Sequence, residues 1–124
     1  MQWLAVGMGA ALGAWLRWGL SLWFNTADHV LPLGTLAANW GGALVIGFLV
    51  AFFDGHTGVS SAWRLFLITG FLGGLTTFST FSAEAMGLLQ RGDYFWALAH
   101  SGLHLLGSVA LCVAGFALYR SIFA

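Results

Sequence analysis

The chain has 124 residues, of which 60% are hydrophobic and only 6% are charged, and its formal net charge is zero. A soluble domain of this size needs far more charge to cover its surface, so the composition indicates a membrane protein. It also excludes a soluble nucleotide-binding fold and a basic surface for nucleic acid.

Four apolar segments are long enough to cross a hydrocarbon core about 30 Å thick, which takes about 20 residues per helix. The sequence predicts helices at about 3–24, 33–53, 62–90 and 95–120, joined by short polar connectors. We therefore expect residues 1–124 to form one all-α domain of four transmembrane helices. No basic region precedes the first segment, and its apolar run is longer than that of a signal peptide, so we expect it to be retained.

The first two predicted helices carry small residues at a spacing that favours helix packing, and each carries one strongly polar residue. Gly9 and Gly13 are four residues apart, a spacing that favours close contact with another helix. Arg17 lies about one turn from the end of the first helix, where its side chain could reach the membrane interface. Asn39 lies in an otherwise apolar second helix. Either an interhelical hydrogen bond or a place on a transport pathway would explain it.

The run from Gly73 to Ser82 predicts a break in the third helix at mid-membrane depth. It contains two adjacent glycines followed by five hydroxyl residues, and both features weaken a helix. In a bilayer, irregular backbone persists only where it is buried in protein or lines a polar cavity. The break is therefore a candidate ion or substrate site. Glu84 follows the break by about two turns. Two roles are open for this carboxylate: a proton carrier, or the partner of a hydroxyl group or an arginine.

Phe78 and Phe81 are three residues apart and so lie on one face of the helix that resumes after the break. An aromatic pair at this spacing is normally a packing contact. Here hydroxyl groups surround it, and a phenyl ring has an electropositive edge. Such edges would attract a small anion without trapping it, which a channel requires.

The fourth predicted helix carries a polar stripe of His100, His104 and Ser108. Two histidines four residues apart can chelate a metal, but no Cys, Asp or Glu joins them on that helix, so a wet or hydrogen-bonded lining is the better interpretation. No nucleophile–base arrangement indicates an enzyme. Cys112 is the only cysteine, which excludes an intrachain disulfide.

The basic residues are evenly divided between the two sides of the predicted bundle. With four helices, Arg64 and Arg120 lie toward the side of the termini, and Arg17 and Arg91 lie toward the opposite side. Because a Lys/Arg excess sets orientation, this balance predicts insertion in both orientations. Four helices leave little room for a pathway inside one chain, so we expect a homo-oligomer, which dual topology would permit to be antiparallel.

Three motifs together resemble the Fluc (CrcB) family of fluoride channels. They are Gly13-Ala-Trp-Leu-Arg17, Gly34-Thr-Leu-Ala-Ala-Asn39 and Gly73-Gly-Leu-Thr-Thr-Phe-Ser-Thr-Phe81, in that order along the chain. The resemblance implies an antiparallel, dual-topology homodimer in the cell inner (plasma) membrane. It would export fluoride passively through two pathways and so relieve fluoride toxicity.

The resemblance also implies a role for individual residues. The fluoride pore would be lined by Phe78, Phe81, Asn39, Ser108, Thr77 and Thr80. Arg17 would supply positive charge at the aqueous vestibule. Backbone carbonyls of Gly73 and Thr76 from two subunits would hold a structural sodium ion at the dimer axis. His100 and His104 stand where the family would have hydroxyl-bearing residues along the pore. Unlike a hydroxyl group, an imidazole titrates at about pH 6.5.

Two other functions stay open at this point. A small proton-coupled multidrug exporter also has four helices, but the first helix here carries no carboxylate, so Glu84 would have to act as the proton carrier. A non-transporting membrane-organising protein is the second alternative. It would gain nothing from a hydroxyl-rich break in its third helix.

Overall fold

The computed structural model describes residues 1–123, and all the regular structure in this range is helical, which confirms the all-α prediction. Ala124, the last residue of the predicted domain, lies outside the described residues. The elements are α1 (Gln2–Phe24), α2 (Leu33–Gly55), α3 (Ser61–Arg64), a π-helical segment (Leu65–Leu72), α4 (Gly73–Leu75), α5 (Ser79–Gln90) and α6 (Tyr94–Phe123). The range Ser61–Gln90 is called the third segment below.

Three helical stretches are long and apolar enough to cross a membrane: Leu33–Gly55, Ser61–Gln90 and Tyr94–Phe123. The α1 helix has 23 residues and therefore sufficient length, but it is not among the three. The number of membrane-spanning helices thus stays a prediction. Large apolar side chains on the outer faces, such as Trp23 and Leu98, are exposed in the isolated chain, as contact with lipid requires.

Glycines bring α1 into backbone contact with the third segment. A Cβ atom on Gly9 would overlap the carbonyl oxygen of Phe66, and one on Gly13 would overlap that of Phe71. From the other side, a Cβ atom on Gly74 would overlap the carbonyl oxygen of Ala10. The predicted close contact at Gly9 and Gly13 is therefore present, because small residues let two helix backbones approach.

A second close helix pair joins α2 to α6. A Cβ atom on Gly47 would overlap the carbonyl oxygen of Cys112, and one on Gly115 would overlap that of Leu44. The indole nitrogen of Trp40 donates a hydrogen bond to the Leu103 carbonyl oxygen at 2.8 Å. This pair holds α6 beside the break in the third segment, which places side chains from both helices at one site.

The predicted break is present, but the hydroxyl residues form it rather than the two glycines. Helix α4 includes Gly73 and Gly74 and ends at Leu75, and α5 begins at Ser79. Gly73 has helical backbone angles, whereas Thr76 is extended, with φ −83° and ψ 155°. Gly74 serves close packing against α1, and the chain leaves the helix two residues later.

Candidate functional site

A cavity of about 640 Å³ lies between α2, α6 and the break in the third segment. Most of the residues predicted to act in ion conduction line it: Asn39, Gly73, Thr76, Thr77, Phe78, Phe81 and Ser108. Thr80 instead lines a second cavity of about 330 Å³, together with Glu84 and Arg91. Arg17 lines neither cavity. The break therefore gathers the predicted pore residues around two cavities, and Arg17 lies outside both.

Asn39 holds the backbone of the break through both ends of its side-chain amide. Its Oδ1 accepts a hydrogen bond from the Thr77 N–H at 2.7 Å, and its Nδ2 donates one to the Thr77 carbonyl oxygen at 3.0 Å. The same Nδ2 lies 3.0 Å from Nδ1 of His104. Since an amide nitrogen only donates, His104 Nδ1 accepts this bond, and the neutral imidazole carries its proton on Nε2.

Two backbone carbonyls at the break lose the N–H groups that an uninterrupted helix would supply. The Thr77 N–H, four residues after Gly73, donates to Asn39. The Thr80 N–H, four residues after Thr76, donates to the Thr77 hydroxyl oxygen at 3.1 Å. The carbonyl groups of Gly73 and Thr76 are thereby released from the helical hydrogen-bond ladder, and both residues border the larger cavity.

Arg17 contacts the end of the first half of the broken helix. Its Nε donates a hydrogen bond to the Gly74 carbonyl oxygen at 3.1 Å. A cation at the C-terminal end of a helix complements the partial negative charge of the exposed carbonyl groups there. The guanidinium therefore stabilises the end of α4 from the side of α1.

The two phenylalanines of the break differ in their surroundings. Phe78 is 79% exposed in the isolated chain, and its ring centroid lies 5.5 Å from that of Phe81. Phe81 stacks on the imidazole of His100, with centroids 5.2 Å apart and an angle of 29°, and lies 4.8 Å from that of His104. The conformation of Phe81 is thus coupled to both histidines, which are buried.

A polar chain links the connector before α2 to Glu84, and it gives this carboxylate a hydroxyl partner, one of the alternatives that the sequence left open. Asn25 Oδ1 accepts a hydrogen bond from the Gly34 N–H at 2.6 Å, and its Nδ2 donates to the Thr35 hydroxyl at 3.2 Å. That hydroxyl donates to Glu84 Oε2 at 2.6 Å. Thr35 and Glu84 are both polar residues inside apolar segments, which was the available signal that each needs a partner.

Glu84 also faces the two histidines of α6. Its Oε1 lies 3.4 Å from Nε2 of His100. Glu84 Oε1 and the Nε2 atoms of His100 and His104 are buried, and none has a hydrogen-bond partner among the described residues. The spacing of the histidines predicts one stripe on α6, but the carboxylate that faces them comes from α5, which no spacing along a single helix predicts.

Comparison with known proteins gives a consistent result over nearly the whole chain. The family model described as CrcB-like protein, Camphor Resistance (CrcB), matches residues 4–116. A protein of Cupriavidus pinatubonensis named "Fluoride-specific ion channel FluC" is 58% identical over 117 residues, which cover 94% of this chain and 93% of that protein. Proteins with the same name from Ralstonia pickettii and Pseudomonas putida are 54% and 52% identical, and each alignment covers more than 90% of both chains.

Proposed function

The chain belongs to the CrcB-like family, and we propose from this membership that it is a fluoride-specific ion channel of the cell inner membrane. The observation that carries the proposal is that relatives sharing this name are similar to the chain in sequence. The similarity extends over nearly the full length of both chains. These relatives are named ion channels, so the function is transport and not enzymatic catalysis. The apolar helices supply the membrane context.

The ring edges of Phe78 and Phe81 are the groups that we assign to fluoride. Both line the larger cavity, and Phe78 is largely exposed to it and to the surface of the isolated chain. An electropositive ring edge attracts an anion less strongly than an ammonium group does, so the ion can leave again. Ser108 lines the same cavity and adds a hydroxyl donor.

The other predicted pore residues act mainly on the shape of the pathway. Asn39 engages Thr77 and His104 with its amide, so it positions the break. The Thr77 hydroxyl accepts from the Thr80 N–H and fixes the start of α5. Arg17 acts at the end of α4, through the Gly74 carbonyl. We keep Arg17 as the positive charge of the vestibule, which would then lie beside the break.

The functional unit that we propose is an antiparallel homodimer of chains in opposite orientations. The even arginine balance supports dual topology. Phe78 and Gly73 are exposed beside the cavity, where a second copy would complete its wall. Two added lysines near the N-terminus should orient every chain the same way and reduce fluoride export, and co-expression of an oppositely biased chain should restore it. Full export by one strongly biased chain would exclude the antiparallel dimer.

The released carbonyls of Gly73 and Thr76 support a structural sodium ion between two such chains. Both carbonyls have lost their helical N–H partners to Asn39 and Thr77. Two copies would supply four neutral oxygen ligands, which suit a hard monovalent cation. When bound, the ion would add positive charge beside the pathway and satisfy carbonyl groups that are costly to bury unpaired.

Fluoride efflux from liposomes containing the purified protein tests the proposal. We expect fast efflux of fluoride whose direction follows the electrochemical gradient of fluoride alone, because sodium is structural in this proposal. Imposing a sodium gradient in either direction should leave the direction of flux unchanged, and so should a proton gradient. Flux driven by the sodium gradient would mean coupled transport. Absence of fluoride flux would overturn the proposed function itself.

A further inference from the structure

Three metal-ligating atoms converge beside the proposed pathway, and none of the assigned roles uses them. They are the carboxylate of Glu84 and the imidazoles of His100 and His104. The exposed fraction of His100 is 2% and that of His104 is 5%. We propose that these three residues bind a divalent transition metal ion of the zinc class.

The spacing of the ligand atoms suits such an ion. Each residue offers one ligand atom, and the three atoms lie within 4.8 Å of one another. Ligands about 2.0–2.1 Å from a tetrahedral zinc ion are about 3.4 Å apart. The distance between Glu84 Oε1 and His100 Nε2 is already 3.4 Å. The His104 ligand atom lies no more than 4.8 Å from the other two, so it has to move closer by no more than about 1.4 Å.

The orphaned atoms give an independent reason to expect a ligand. Glu84 Oε1, His100 Nε2 and His104 Nε2 are buried without a hydrogen-bond partner among the described residues, and the first two form an ion pair only when His100 is protonated. Buried polar atoms are normally paired, so three such atoms in one place indicate a group that would join them. Two imidazoles and one carboxylate favour zinc and similar ions over magnesium or calcium, which prefer oxygen ligands. One tetrahedral position stays open for water.

Coordination by His104 has a cost that the structure identifies. A neutral imidazole that binds a metal through Nε2 carries its proton on Nδ1. In His104 this proton would point at Nδ2 of Asn39, which is also a donor, so the hydrogen bond between them would be lost. Losing this hydrogen bond leaves one N–H of the Asn39 amide without its acceptor, which disfavours binding. Binding of a zinc ion by protein ligands is far more favourable than one hydrogen bond, so three ligands outweigh this cost. Metal binding should therefore weaken the contact of Asn39 with His104.

The site also contacts the proposed pathway. The ring of Phe81 stacks on His100 and lies beside His104, so an ion that joins the two imidazoles would restrict this ring. We expect zinc to slow fluoride flux through the wild-type protein. This consequence rests on the proposed function, whereas metal binding itself does not.

Direct metal binding by the purified full-length chain in detergent tests the inference without any flux measurement. Calorimetry should show one zinc ion per chain, and cobalt(II) should give the visible absorption of a tetrahedral site. Magnesium should give no binding. His100→Ala and Glu84→Gln should each weaken zinc binding by more than about tenfold, the loss typical of even an outer-shell partner.

Two other histidines provide matched controls. His29 is exposed in the connector before α2, and His56 is exposed after the end of α2. His29→Ala and His56→Ala should leave zinc binding unchanged. Glu84→Gln keeps the size of the side chain and an oxygen acceptor for Thr35, so it guards against a loss caused by misfolding. Zinc binding of wild-type affinity in either site variant, or loss of binding in a histidine control, would overturn the proposed site.

Discussion

The two halves of the third segment, before and after the break, are held in place by different forces. The half that ends at Leu75 packs by backbone contact with α1, through Gly9 and Gly13 on one side and Gly74 on the other. The half that begins at Ser79 carries the residues that reach α2 and α6 through polar and ring contacts, chiefly Glu84 and Phe81. Shape complementarity positions most of the first half, which also receives a hydrogen bond from Arg17 at its end, and directional contacts position the second half.

This difference separates stability from chemistry. Backbone contacts in the first half leave no space for an added methyl group and offer nothing to an ion except the carbonyl groups at its end. The polar contacts of the second half leave several donors and ring edges beside the cavities. Substitutions in the first half should therefore mainly affect assembly of the fold, and substitutions in the second should mainly affect transport.

The largest effect is expected from adding one methyl group to the first half. In Gly13→Ala the new Cβ would overlap the Phe71 carbonyl oxygen and lie 2.7 Å from the Leu75 nitrogen, so α1 has to move away. We expect a loss of about 3 kcal/mol or more. Gly7→Ala on the same helix is the control, because no atom lies within 4 Å of its Cβ position. It should be neutral or stabilising by up to about 1 kcal/mol. Equal melting temperatures in detergent for the two variants would contradict the backbone-contact interpretation.

The second effect concerns the junction between the two halves. Asn39→Leu keeps the approximate size of the side chain but leaves the N–H and carbonyl groups of Thr77 without their partner. We expect a loss of about 2 kcal/mol, since an unsatisfied buried group costs about 1–3 kcal/mol. Fluoride flux should fall strongly because the break is no longer held. Asn39→Asp keeps the acceptor for Thr77 N–H and should recover part of the stability. Wild-type flux in Asn39→Leu would show that the amide does not position the pathway.

The sequence predicted the helices and the break well, because these depend on local composition. Apolar runs, the glycine spacing in α1 and the hydroxyl cluster all act through neighbouring residues. The meeting of Glu84 with His100 and with Thr35 could not be derived in this way. It depends on how α5, α6 and α2 rotate against one another, which no local pattern fixes. The same holds for the contact of Arg17 with Gly74.

The smallest effect on stability, with the largest on transport, is expected at the phenylalanines of the second half. Phe81→Ile keeps an apolar side chain but removes the electropositive ring edge, so it should cost less than about 1.5 kcal/mol and abolish most fluoride flux. Phe78→Ile should behave in the same way, at an even lower cost, because Phe78 is 79% exposed.

Phe71 in the first half provides the matched comparison for this last prediction. It packs against the buried cluster of Ala38, Leu72 and Leu75 and does not line either cavity. Phe71→Ile should lower the melting temperature at least as much as Phe81→Ile, because its ring packs against the core. Its flux per folded protein should stay near that of the wild type. Equal loss of fluoride efflux from liposomes in Phe71→Ile and Phe81→Ile would show that the ring edge of Phe81 has no special part in transport. Phe81 would then be a packing residue only.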